Sequence, residues 1–287
     1  MLLRYIIKVD RVDSLKTILR DYFAIKDNDS ITEIELDLSP CIFLRSNFTA
    51  VFGGILKLEK IKGKEIFVRS PLNKKVEIIL SKNNFLPSLF PHKFTKIVDS
   101  YGTVIEHNKM EIDDNEALEK FMDYFSYDLL VKRGLNDLSE PLLKKIIQKI
   151  YELFVNSFIH SKSITEIYSA GQFFPSENKM YFTIVDMGVG IKDNVNKFNS
   201  TIYNGYEAIE WALQESHGTT GEGGLGLSLL KDLILQSDGK LEIVSDDGFY
   251  QINNKIIRKE TMPNKFDGTI INIVFNTNQE EYTKKEI

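Results

Sequence analysis

Glu152, Asn156 and His160 fall four residues apart within the segment YELFVNSFIHS. At about 100° per residue, a helix gathers them into an arc of roughly 80°. On that face a carboxylate can take a proton from an attacking water or hydroxyl. One turn later, an amide oxygen can bind Mg²⁺, a hard cation that prefers oxygen ligands and keeps several waters. Ile146, Ile147, Ile150, Leu153, Phe154 and Phe158 take the opposite side, so an apolar stripe backs the polar one. Taken alone, Glu-x₃-Asn reads first as a solvated helix face.

Downstream, the apolar run Tyr181–Val185 stops at Asp186, which opens Asp186-Met-Gly188-Val-Gly190. A carboxylate at a strand end, beside glycines that let a ligand approach, suits a donor such as the adenine amino group. Guanine presents a carbonyl at that edge, so an acidic acceptor favours ATP over GTP. The plainer alternative is a turn closing a hairpin. Further on, Gly221, Gly223, Gly224 and Gly226 lead into an apolar helix carrying Leu227, Leu230, Leu233 and Ile234. Backbone N–H groups of such a loop form an anion site, and Thr219 and Thr220 add hydroxyl donors. The spacing is not that of a P-loop, and no dinucleotide-binding strand leads into it; a flexible surface loop is the alternative. Asp267-Gly268-Thr269 precedes the last apolar run, INIVF, where a turn before a strand is sufficient explanation.

These groups need elements to hold them. The spacing predicts a helical pair over 115–132 and 140–161, strands over 164–174 and 179–186, and helices over 206–216 and 225–237 around the glycine loop. Strands follow over 240–245, 248–252 and 269–275. The first hundred residues alternate strands (3–9, 31–38, 65–69) with helices (14–23, 46–58, 72–82), a small sheet covered by helices. Ser14 and Ser46 are expected as helix caps. Residues 85–113 are the least periodic part and hold Pro87 and Pro91. The expected domains are therefore 1–90 and 115–287, with 91–114 as a linker. The fold class is a two-domain α/β (α+β) protein whose C-terminal sheet is mixed and largely antiparallel.

Composition narrows the function classes. A hydrophobic content of 43% and a charged content of 27% are ordinary for a globular protein. A net charge of −5 gives no electrostatic reason to expect nucleic acid as a partner. One cysteine, Cys41, excludes an intramolecular disulfide and an all-cysteine metal site, which fits a reducing cytoplasm. No apolar run approaches the ~18–20 residues that cross a bilayer, so no membrane association is expected.

In this order the segments resemble the GHKL superfamily of ATP-binding domains, the Bergerat fold of gyrase, mismatch-repair ATPases, heat-shock chaperones, histidine kinases and anti-sigma kinases. The resemblance spans about residues 115–278. Glu152–His160 is similar to the family's N-box, Asp186–Ile191 to its G1 box, Gly221–Leu227 to its G2 box, and Gly268-Thr269 to its later glycine-threonine element. It implies Mg²⁺ on Asn156 and a catalytic base at Glu152. Asp186 would contact adenine, and the segment from about 191 to 221 would form an ATP lid. His160, Gly188, Gly190, Thr219, Thr220, Gly221, Gly223, Gly224, Leu225, Gly226 and Thr269 complete the implied nucleotide contacts.

The N-box is nearest the anti-sigma kinase version and the G2 box nearest the histidine-kinase version. Neither His92 nor His107 sits in the sequence of a phosphoacceptor helix. Residues 31–85 resemble a STAS-like domain, whose relatives are partners and substrates of anti-sigma kinases. The family's Asp-Ser-Ser-Gly is replaced here by Phe43-Leu44-Arg45-Ser46-Asn47, and Ser46 and Ser39 are the acceptor candidates. The resemblance implies an ATP- and Mg²⁺-dependent ATPase or serine/threonine kinase-like switch acting on a protein partner, with a homodimer as a family expectation. The other reading is a non-catalytic ATP-sensing module, a regulatory or antitoxin-like partner.

Overall fold

A computed structural model describes residues 3–8, 11–12, 14–69, 73–111, 115–126, 139–197, 204–214, 226–237 and 239–278. The chain divides into two units. One comprises Met1–Lys109 with Tyr168–Gln172, the other Met110–Ile167 with Phe173–Ile287.

The first unit contains β1 (Leu3–Lys8), β2 (Arg11–Val12), α1 (Leu15–Ile25), β3 (Ile31–Asp37), β4 (Phe43–Leu44), α2 (Thr49–Ile61), β5 (Glu65–Arg69), α3 (Lys74–Lys82), α4 (Phe85–Leu89) and most of β6 (Val104–Met110). Strands β1, β3 and β5 form a parallel sheet in that order. Its core is built from Ile7, Ile34 and Leu36 together with Leu15, Ile18 and Tyr22 of α1 and Phe52, Ile55 and Leu56 of α2. The α1 cap is as expected, with Ser14 accepting from the Lys16 N–H at 3.3 Å.

Ser46 is a correction. It opens a 3₁₀ turn, Ser46–Phe48, and caps nothing. Its fully buried hydroxyl donates to the Gly171 carbonyl at 2.8 Å instead. The helix tolerates Gly53 because a Cβ there would collide with the rings of His107 and Tyr168. Strand β6 lies in the segment expected as a linker. His107 on β6 is buried edge-on to Phe85, and its backbone N–H donates to the Asn83 carbonyl at 2.6 Å.

The second unit holds α5 (Asn115–Tyr124), α6 (Glu140–His160), β7 (Ile167–Phe174, except its 168–172 part), β8 (Lys179–Asp186), α7 (Ile191–Val195), α8 (Gly205–Ala212), α9 (Gly226–Gln236), β9 (Lys240–Asn253) and β10 (Ile256–Asn276). Strands β8, β10 and β9 are neighbours in that order, antiparallel throughout. Ile146, Ile150, Leu153 and Phe154 of α6 are fully buried, and Phe182 of β8 meets both Phe154 and Phe125. Helix α9 packs on α6 and β9 through Leu230, Leu233 and Ile234.

The sequence suggests two strands over 240–252, yet β9 runs unbroken through Asp246-Asp247-Gly248, and β10 begins at Ile256, well before Thr269. Asp246 takes a left-handed conformation (φ +53°), and the register shifts between Phe266 and Thr269. A bulge replaces the expected turn and lets both strands continue outward as a ribbon.

Candidate functional site

The site is built around the end of β8. Asp186 is the last residue of that strand, faces Thr269 in register, and Thr269 in turn faces Ser245 on β9. Asp186 is 4% exposed. Burial pushes its carboxyl up to about 8, against hydrogen bonding from the Gly188 and Thr269 N–H groups and the Ser157 hydroxyl, which favours ionisation. Its Oδ1 is buried and meets no donor among the described residues. An unmatched carboxyl oxygen in a dry setting is costly to keep, and this one has the chemistry to receive an N–H, such as that of an amino group.

Ser157 belongs to α6 and follows Asn156 directly. Its hydroxyl favours ionisation of the Asp186 carboxyl, and α6 packs on β8, so the helix carrying Glu152 and Asn156 lies against that strand. Asn156 is half-buried. Its side-chain oxygen suits Mg²⁺, which would complete its shell with water and phosphate oxygens. Among the described residues no cluster of three or more His, Cys, Asp or Glu could hold a metal. His160 ends α6; its side chain lies outside the described residues.

Glu152 is not a free carboxylate. Lys149, 3% exposed, donates to both of its oxygens, and Gln148 adds a third contact at 3.3 Å. The helical spacing hides this pair, because a lysine three residues earlier reads as surface charge.

The loop after Asp186 is closely packed. A Cβ on Gly188 would overlap the Ser161 carbonyl. Val189 N–H donates to that same carbonyl at 2.6 Å, and Met187 N–H to Ser163 Oγ at 3.0 Å. Gly190 precedes α7. Gly268 has φ +133°, and a Cβ there would overlap the Asp186 carbonyl, so Thr269 is delivered to its place by a residue without a side chain. Ser163 and Ser245 carry no signal in local spacing, while Ser157 and Ser161 lie within the segment that bears Asn156 and His160, and only packing brings them to the loop after Asp186.

Of the glycine-loop candidates, Gly226 opens α9, whereas Thr219, Thr220, Gly221, Gly223, Gly224 and Leu225 lie outside the described residues, as do parts of the expected lid. Ser39, half-buried after β3, donates to Asp37 at 2.6 Å, while Ser46 is fully buried. No helix among the described residues is long and apolar enough to cross a membrane. No protein-family model matches the chain, and no curated protein matches it in sequence.

Proposed function

We propose that the second unit binds Mg-ATP in the manner of the GHKL class, as a nucleotide-dependent regulatory switch that acts on a protein partner. The observation that carries the reading is the buried, unmatched Oδ1 of Asp186 at the end of β8, beside the helix that bears Asn156. In this reading Asp186 accepts from the adenine amino group and Asn156 supplies an oxygen to Mg²⁺. The segment 219–226 would hold the phosphates, and Thr269, hydrogen-bonding to Asp186 through its backbone, keeps the carboxyl oriented. Bound Mg²⁺ would neutralise phosphate charge; phosphoryl chemistry rests largely on such positioning and charge stabilisation. The α-helices over an antiparallel β8–β10–β9 sheet support a Bergerat-like second unit, and the parallel β1–β3–β5 sheet with its helices is read as STAS-like.

Two outcomes for the nucleotide follow. In the enzymatic one, Glu152 acts as the base and the chain is an ATPase or a serine/threonine kinase. The contact of Lys149 with both Glu152 oxygens favours the second, a module that senses ATP without consuming it. A thermal-shift series with Mg-ATP tests the shared premise. A ligand specific to the native state raises stability by about 2.7 kcal/mol at a hundredfold excess over Kd, and an unmoved transition at millimolar Mg-ATP overturns it. Phosphate release, or label transferred from ATP, then separates enzyme from sensor.

A further inference from the structure

Three consecutive residues of β9 hold the segment that follows Asp186. Ser245 Oγ accepts from the Ile191 N–H at 2.8 Å and lies 3.1 Å from both the Gly268 carbonyl and Thr269 Oγ1. Asp246 Oδ2 accepts from the Lys192 N–H at 3.1 Å, and Asp247 Oδ1 from the Gly205 N–H at 2.6 Å. Side chains of a regular strand alternate between faces, so three in a row could not all reach one segment. The left-handed backbone at Asp246 and the accompanying bulge break the alternation. The fit is tight. A Cβ on Gly190 would overlap the Asp246 carboxylate, and one on Gly248 would overlap Gly205. Asn204 and Glu207 close a capping box on α8 next to the Asp247 contact, and α8 packs on α7.

We infer that Ser245, Asp246 and Asp247 are positioning residues for the Asp186 site, a clamp on the strand bulge that fixes the starts of α7 and α8 and so sets the loop against which a nucleotide would lie. The inference rests on the Mg-ATP reading. It goes beyond it by assigning the placement of this loop to β9, a strand that supplies none of the nucleotide contacts. What each side chain provides is an acceptor oxygen. Replacing Asp247 by asparagine retains that oxygen, whereas alanine removes it.

The test uses the full chain as wild type, Asp247→Ala, Asp247→Asn and Ser245→Ala, with Mg-ATP as the probe. Amide hydrogen exchange is followed without nucleotide, and affinity by calorimetry. The clamp predicts faster exchange at Gly205 in Asp247→Ala and at Ile191 in Ser245→Ala, with Mg-ATP affinity lowered about tenfold, the scale of one lost hydrogen bond. Asp247→Asn should restore both to within about twofold of wild type. Affinity unchanged in Asp247→Ala overturns the inference, and so does an Asp247→Asn variant as weak as the alanine. A wild type that binds no Mg-ATP refutes the nucleotide reading and the clamp's role in it together. Exchange in the nucleotide-free variants distinguishes that failure, because it still reports whether the three contacts hold the loop.

Discussion

The Lys149 ammonium lies 2.8 Å from each carboxylate oxygen of Glu152. The lysine is buried, the glutamate partly exposed, so the pair is anchored from the protein side. Removing the carboxylate outright would leave the Lys149 ammonium, 3% exposed, without that partner. Glu152→Gln keeps an oxygen for Lys149 and removes the base. It is expected to hold Mg-ATP affinity within about twofold. If the wild type turns ATP over, the same variant should lose at least a hundredfold in rate, the usual scale of a general base. Phosphate release measured at saturating nucleotide checks this. Equal rates in the two proteins would remove Glu152 from the chemistry.

Asp186 sets a pH dependence of stability. Its carboxyl is raised by burial to about 8, against an unfolded value near 4. The folded state therefore binds the proton more tightly. The contribution to stability is full below about pH 4 and is lost as pH rises toward 8, at up to about 1.4 kcal/mol per pH unit. Asp186→Asn cannot ionise, so relative to wild type it should gain stability between pH 5 and pH 8. Urea denaturation at those two values measures it, and a constant difference between the two proteins would contradict the burial argument.

His107 gives the opposite sign in the first unit. Burial lowers it to about 3, and its Nδ1 has no partner among the described residues. The folded state holds it neutral while the unfolded chain takes up a proton below about 6.5. Stability is full above that value and falls as pH drops toward 3. His107→Gln should flatten this acid limb. Exchange protection of β6 at pH 4 and pH 7 reports on it locally, and an acid limb that persists unchanged would assign it to other groups.

Gly268 is the strictest backbone position of the site. Its positive φ and its contact with the Asp186 carbonyl make Gly268→Ala unfavourable both in conformation and in space. A loss of at least about 2 kcal/mol is expected, from strain of about 1–3 kcal/mol added to overpacking. Chemical denaturation that shows less than about 0.5 kcal/mol would mean that the turn has relaxed freely.

Parts of this were readable in the sequence for clear reasons. Strand β8 ends at Asp186 as expected, because an apolar run stopped by an acid and glycines has few other solutions. The α6 stripe of Ile146, Ile150, Leu153 and Phe154 likewise follows from 3.6-residue periodicity. The continuous β9 was not readable. Asp246-Asp247-Gly248 has the composition of a turn, and only pairing with β10 shows it to be a bulge. Pro263 inside β10 likewise argues against a strand, yet it sits in an exposed stretch where a proline costs no ladder bond. Ser46 reads as a cap from its neighbours alone, whereas its partner, Gly171, is 125 positions away. The Lys149–Glu152 pair and the nearness of Ser157 to Asp186 depend on which helix faces turn inward, which spacing narrows without fixing the partner of each polar group.

In the proposed site Asp186 receives the adenine amino group. Isothermal titration of Mg-ATP and Mg-GTP into wild type and Asp186→Ala addresses it directly. Saturable ATP binding to the wild type is expected, with GTP weaker by at least about tenfold and ATP affinity reduced about tenfold in the variant, the scale of one lost hydrogen bond. Equal heats for the two nucleotides, or ATP binding unaltered by the substitution, would contradict it.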